Sequence, residues 1–225
     1  MSSNSVRKTV FLGASFVLGL LLSIHLPAKV NANDCTGGTV DGETVESLRV
    51  PQSAICTLKD TQITGDITVA PKATLYAFGV RVGGTIRVSA DAVLNGFNVR
   101  VNGDIEAEDA SQVSVFSGSF VGGSVRVLRS GGVEINGAEI GRDLIIDTSR
   151  RSLKVAKTII GGTLRVLDNK GRSTLIGNTV KGNLVCEGNV FTPEGGGNVV
   201  EGDMEGQCKD LHKPPPPEED CCEIK

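Results

Sequence analysis

The sequence predicts an all-β protein, a single-stranded, right-handed parallel β-helix of about eight coils with 19 to 20 residues each. A glycine column recurs at that interval, with one arginine in the series. Two residues before each member stands a β-branched residue, and apolar residues alternate around the column with the period of a strand. Helical repeats are longer and space apolar residues by three or four, so they are excluded. The column is Gly65, Gly84, Gly103, Gly123, Arg142, Gly162, Gly182 and Gly202.

Three sets of apolar positions are predicted to face inward. The first precedes the glycine column by two residues: Ile63, Val82, Val101, Val121, Ile140, Ile160, Val180 and Val200. The second follows it by two and four residues, as in Ile86 and Val88. The third lies about ten and twelve residues later, as in Leu75 and Ala77. Such coils are not stable alone, because each leaves strand edges that the next coil must cover.

A corner of left-handed backbone is predicted five residues before the glycine column. Seven of its eight members are Gly, Asn or Asp, which tolerate a positive φ, and the eighth is a lysine. They are Asp60, Gly79, Asn98, Gly118, Gly137, Lys157, Gly177 and Gly197. The paired glycines, such as Gly83-Gly84, are interpreted as a second tight corner rather than a phosphate loop, since no helix follows them.

Residues 1–32 have the features of a secretory signal peptide. Arg7 and Lys8 precede a 17-residue apolar core, and small residues precede a cleavage site near Asn33. After cleavage we expect no stable membrane span; the alternative is an uncleaved anchor. The mature chain then keeps 20 of the 23 basic residues against all 26 acidic ones, a formal charge of −6, which argues against nucleic-acid binding.

Residues 33–208 are predicted to form the β-helix, with residues 33–60 as an N-terminal cap and an incomplete first coil. One cysteine pair lies at each end, which in an exported chain predicts disulfides Cys35–Cys56 and Cys186–Cys208. Metal binding is the alternative for these cysteines, but the predicted domain has no histidine and no CxxC motif, so no metal site is expected.

Residues 209–225 are predicted to be a disordered, acidic, proline-rich tail. It contains four consecutive prolines, 214–217, and ends near Cys221 and Cys222. These adjacent thiols are expected either to link two chains or to be free.

The column directly after the glycines is the best candidate for a ligand site. Acidic and neutral residues alternate along it, and the acidic members are Asp66, Asp104, Asp143 and Asp203. A carboxylate ladder of this kind could bind Ca²⁺ or a glycan; no other cofactor is expected. The alternative is structural: short polar residues suit a corner, and the alternation keeps like charges apart in adjacent strands.

Two functional classes remain open. The first is a non-enzymatic secreted or cell-surface element that binds a surface glycan or self-associates. The second is a small polysaccharide lyase or glycoside hydrolase that uses Asp104 and Asp143. Near-constant spacing leaves no long insertions to enclose a substrate, and the domain has no Trp and only Tyr76 as a tyrosine, so the first class is favoured.

The recurrent [VI]-x-G-x-[IVL]-x-V pattern over residues 44–208 resembles the repeat of the bactofilins and related β-solenoids. Residues 182–186 and 195–208 resemble more closely a class of exported bacterial repeat proteins of unknown role. The resemblance implies the parallel β-helix fold and no functional residue. Bactofilins lack the signal peptide and cysteines seen here, so cytoskeletal polymerisation is not implied.

Overall fold

A computed structural model describes residues 34–214. The predicted signal peptide and the pair Cys221 and Cys222 lie outside these residues. The described chain winds into a parallel β-solenoid of nine coils with no helix, and each coil contributes one strand to each of three nine-stranded sheets. No helix in residues 34–214 is therefore long and apolar enough to cross a bilayer.

Sheet 1 contains the first strand of each coil. Its strands are Gly38–Asp41, Ile55–Lys59, Thr74–Phe78, Val93–Phe97, Gln112–Val115, Gly132–Asn136, Leu153–Ala156, Ser173–Ile176 and Glu194–Gly196.

Sheet 2 contains the second strand, which is two residues long in every coil. Its strands are Thr44–Val45, Gln62–Ile63, Arg81–Val82, Arg100–Val101, Phe120–Val121, Glu139–Ile140, Ile159–Ile160, Thr179–Val180 and Val199–Val200.

Sheet 3 contains the third strand. Its strands are Leu48–Val50, Ile67–Val69, Ile86–Val88, Ile105–Glu108, Val125–Leu128, Leu144–Asp147, Leu164–Leu167, Leu184–Glu187 and Met204–Gly206.

The three inward sets form the core, as the sequence predicts. In sheet 2, Val121 is fully buried and pairs with Val101 below and Ile140 above, so one column of β-branched residues runs through the solenoid. Its members in the two end coils, Val45 and Val200, are only partly buried. Burial of stacked aliphatic side chains is the main favourable term in this fold, because each coil covers the apolar face and strand edges of its neighbour.

The corner between sheets 1 and 2 has the predicted left-handed backbone at all eight predicted positions. Its φ values range from 45° at Asp60 to 80° at Gly118. Lys157 adopts a φ of 50° although it belongs to none of the three favoured residue types. The neighbouring coils hold this lysine in place: its N–H donates to the carbonyl of Ile176 (N···O 2.9 Å).

The glycine column lies at a corner of the chain between sheets 2 and 3, as predicted, and close contact between coils adds a second reason for glycine there. Gly84 and Gly103 do not have a positive φ. A Cβ atom added at Gly103 would lie 2.7 Å from the carbonyl oxygen of Gly84 in the preceding coil, closer than real Cβ contacts allow. Consecutive coils approach closely at this corner, which favours glycine, although Arg142 occupies the equivalent position in one coil.

The ends of the solenoid differ from the prediction in two ways. The first coil is complete, with its own strand in each sheet, instead of partial. At the other end, packed structure extends beyond the predicted boundary at Cys208: Leu211 is buried, and the N–H of Gly197 donates to the carbonyl of Lys213 (2.7 Å). Residues 208–213 thus cover part of the last coil.

Each end contains one of the expected cysteine pairs at disulfide-bonding distance. The Cα atoms of Cys35 and Cys56 are 5.9 Å apart, and those of Cys186 and Cys208 are 5.3 Å apart. Each bond joins an end segment to a strand of the stacked coils. The pairs are consistent with an extracellular or periplasmic location, where disulfides persist.

Candidate ligand-binding faces

The candidate carboxylate column lies at the corner between sheets 2 and 3, where it forms a continuous hydrogen-bond ladder. The N–H of Thr85 donates to Oδ1 of Asp66 (2.8 Å), and the N–H of Asp104 donates to Oγ1 of Thr85 (3.3 Å). The same pattern continues to the last coil, with each side chain accepting from the equivalent N–H one coil later. The other donor–acceptor pairs are Ser124–Asp104, Asp143–Ser124, Thr163–Asp143, Asn183–Thr163 and Asp203–Asn183.

Asp66 has a second partner. Its Oδ2 accepts from Nη1 of Arg87 (2.6 Å), and Nε of the same arginine lies 3.3 Å from Oε2 of Glu106. The hydrogen bond from the N–H of Thr85, followed by that from Arg87, lowers the pKa of the Asp66 carboxyl below its ordinary value. These are exposed groups, so the ion pairs contribute little to stability and mainly order the surface.

The structure does not bring the four candidate aspartates together. A neutral residue separates Asp66 from Asp104 and Asp104 from Asp143 along the column, and two separate Asp143 from Asp203. Asp104 lines a shallow depression of about 180 Å³ with Arg126 and Arg142. Within residues 34–214, no three His, Cys, Asp or Glu side chains are grouped so that they could hold a metal ion.

Two buried asparagine ladders in the C-terminal half were not predicted. Asn178 accepts from the N–H of Thr158 (3.1 Å) and donates to Oδ1 of Asn198 (2.9 Å). Asn169 and Asn189 repeat the arrangement at the corner between sheets 3 and 1 (Nδ2···Oδ1 2.9 Å). The recurring Asn at a 20-residue interval was visible in the sequence, but its burial was not. Both ladders satisfy buried backbone groups and leave no side chain for a ligand.

The aromatic residues of the described chain all lie outside the core. Phe78, Phe97 and Phe116 occupy consecutive coils at the edge of sheet 1. Their rings stack with centroids 5.2 and 4.5 Å apart and planes within 13°. Phe78 and Phe97 are 38% and 37% exposed, and Ile55 on the same sheet is 59% exposed. This column was not predicted, because it is built from phenylalanine and not from Trp or Tyr.

An arginine pair lies across the corner from the phenylalanines. Arg81 and Arg100 are direct register partners in sheet 2 and point outward. With Gln62, Thr64 and Asn102 they line a groove of about 320 Å³. The guanidinium of Arg100 also lies 4.9 Å from the ring centroid of Phe120 in the next coil.

Several other charged residues form ion pairs of opposite sign. Arg87 stands between Asp66 and Glu106, and Asp109 pairs with both Arg129 and Arg150 (3.2 and 2.9 Å). These opposite charges neutralise one another locally, including those that line the larger groove of about 500 Å³ on sheet 3.

Comparisons with known proteins add no functional assignment: no protein-family model, no curated protein and no solved structure matches the chain. The resemblance to bactofilins is therefore supported only at the level of the parallel β-solenoid fold.

Proposed function

We propose that this protein is a non-enzymatic, exported structural or binding element at the cell surface or outside the cell. It would act as a rod whose faces bind a surface polymer. The observation that carries this proposal is that the candidate aspartates already accept hydrogen bonds from the backbone. Oδ1 of Asp66, Asp104 and Asp143 each accepts a hydrogen bond from the backbone of the next coil.

These hydrogen bonds weaken the enzymatic alternative. A general acid must hold a proton near neutral pH, which requires a raised pKa, so Asp66, whose pKa is lowered, is unsuited to that role. In Asp104 and Asp143 one carboxylate oxygen already bonds to a backbone N–H, as expected for residues that stabilise the stack. The short corners on both sides of the column also supply no loop to cover a substrate.

The location outside the cytoplasm rests on two features. The signal-like segment 1–32 would direct export, and a disulfide at each end would keep the terminal segments attached in an oxidising compartment.

The test is a screen of the purified mature protein against acidic and neutral polysaccharides, with and without Ca²⁺, beside light scattering for self-association. We expect binding or assembly without product release. Asp104→Asn and Asp143→Asn are the informative variants, because the amide oxygen can still accept the ladder hydrogen bond while the carboxylate is lost. Product release by the parent protein that disappears in either variant would show that the protein is an enzyme.

A further inference from the structure

The groove on sheet 2 contains a pair of like charges directly opposite each other. Arg81 and Arg100 are Cα register partners in adjacent strands. Elsewhere in the ladders of residues 34–214, directly opposed charges have opposite signs. These pairs are Asp41–Lys59, Arg87–Glu106, Glu106–Arg126 and Glu134–Lys154.

This arrangement is unfavourable for the protein alone. Like charges opposite each other in adjacent strands destabilise a sheet, and here the strands are only about 4.8 Å apart. In the described part of the chain neither guanidinium has an ion-pair partner. An anion bridging the two side chains would remove the repulsion and use the bidentate geometry of guanidinium groups.

In both of these coils a phenylalanine lies near the arginine. Phe78 precedes Arg81, and Phe97 precedes Arg100, by three residues, with one left-handed corner residue in each interval. The corner thus separates an outward phenylalanine on sheet 1 from an outward arginine on sheet 2. Repetition in register produces an apolar column beside a cationic column, both parallel to the solenoid axis.

We propose that these two columns form a binding site for an acidic polysaccharide that lies along the solenoid axis, with its carboxylates on Arg81 and Arg100 and its apolar C–H groups against the phenylalanine edges. This site deepens the proposed function and rests on it.

The pairing of charge with apolar surface favours a polyuronate over an acidic peptide. A uronate residue carries a carboxylate and apolar ring C–H groups together, which complement the arginine pair and the phenylalanine column. The Asp and Glu side chains of an acidic peptide supply the carboxylate without such an apolar ring. The net negative charge of the rod should restrict such binding to the groove and make it sensitive to salt.

Affinity measurements with polygalacturonate, neutral dextran and a single-stranded DNA oligonucleotide test the site. We expect polygalacturonate to bind, more weakly as salt increases, and dextran not to bind. The double variant Arg81→Gln/Arg100→Gln should lose about tenfold or more in affinity, as for the loss of charge-assisted hydrogen bonds. The control Arg142→Gln/Arg165→Gln removes the same charge from exposed positions elsewhere and should bind like the parent protein.

A second variant separates binding from folding. Arg100→Glu replaces the repulsive pair with an attractive one, so its melting temperature should equal or exceed that of the parent protein while its affinity falls. Equal affinities of the two double variants, tighter binding of the DNA, or no binding of polygalacturonate would each overturn the site. None of these results would make the protein an enzyme, whereas cleavage of polygalacturonate would contradict the proposed function itself.

Discussion

A charge placed in an inward column should be among the most damaging single changes. Val121 is fully buried in sheet 2, so Val121→Asp would leave a carboxylate between coils without water or a partner. We expect the free energy of unfolding to fall by about 3–5 kcal/mol, or the protein to fail to fold. Arg126→Ala, on the outward face, should change it by less than about 0.5 kcal/mol. Equal effects in thermal melts would show that the inward and outward faces are wrongly assigned.

The stability contributed by the candidate carboxylate column should depend on its acceptor atoms and not on its charge. Asp104→Ala removes the acceptor for the N–H of Ser124 and should cost about 1–2 kcal/mol. Asp104→Asn should cost much less, because Asn183 already serves as an acceptor in the same column. Denaturant titrations of both variants measure the difference. Two equally destabilised variants would mean that the charge itself, and not the acceptor, is required.

The lowered pKa of Asp66 predicts a stability change in acid. A carboxyl whose pKa is lower in the folded state stabilises the protein above its unfolded-state pKa, and this contribution is lost as the pH falls through the folded-state value. Melting temperatures measured from pH 7 to pH 3 should therefore decline less in Asp66→Asn than in the parent protein below about pH 4. Parallel declines would mean that Asp66 is not linked to folding.

At this scale the inward residues were predictable because alternation specifies which side chains face the core. The reason for the glycine column was only partly predictable. The sequence shows that these positions lack a side chain, but it does not show whether a positive φ or the approach of a neighbouring coil requires its absence. Lys157 illustrates the same limit: its backbone is left-handed despite its residue type, and its N–H is bonded to the next coil.

The two end segments of the solenoid should depend on their disulfides for stability. Cys186 and Cys208 are 22 residues apart in sequence, and closing a loop of that size contributes about 3 kcal/mol in the chain-entropy model. Cys186→Ser/Cys208→Ser should therefore lower the free energy of unfolding by about that amount, measured by urea titration under non-reducing conditions. Cys35→Ser/Cys56→Ser tests the opposite end in the same way. No change in either variant would mean that the bonds do not constrain the fold.

The complete first coil and the buried asparagine ladders could not be predicted from the sequence. Strands Gly38–Asp41 and Thr44–Val45 lack the strong apolar alternation of later coils, because an end coil buries less surface. Their pairing depends on the next coil as a template, which a local pattern does not reveal. The buried asparagines were unexpected for a related reason: they are stable inside only because an equivalent residue one coil away completes their hydrogen bonds.

Over the whole molecule, a regular stack makes departures from the pattern informative. On sheet 3, Arg87 is paired with Asp66 and Glu106, whereas Arg81 and Arg100 on sheet 2 oppose each other and lie beside exposed phenylalanines. The repeated Phe and Arg positions are visible in the sequence, but only the inward columns follow from the strand alternation that determines the fold. Which outward columns become neighbours across a corner is visible only once the coil has its three sheets.

The C-terminal cap should protect the end of the solenoid from self-association. Residues 208–213 cover the end of the stack, where Leu211 is buried and its carbonyl accepts from the N–H and Nδ2 of Asn198 (3.2 and 2.8 Å). Leu211→Asp would place a carboxylate against the last coil and displace this segment, which exposes strand edges that pair readily with another chain. Light scattering should then show self-association absent from the matched control His212→Asp, which adds the same charge at an exposed position. A variant that scatters and melts like the control would mean that residues 208–213 do not protect the end of the solenoid.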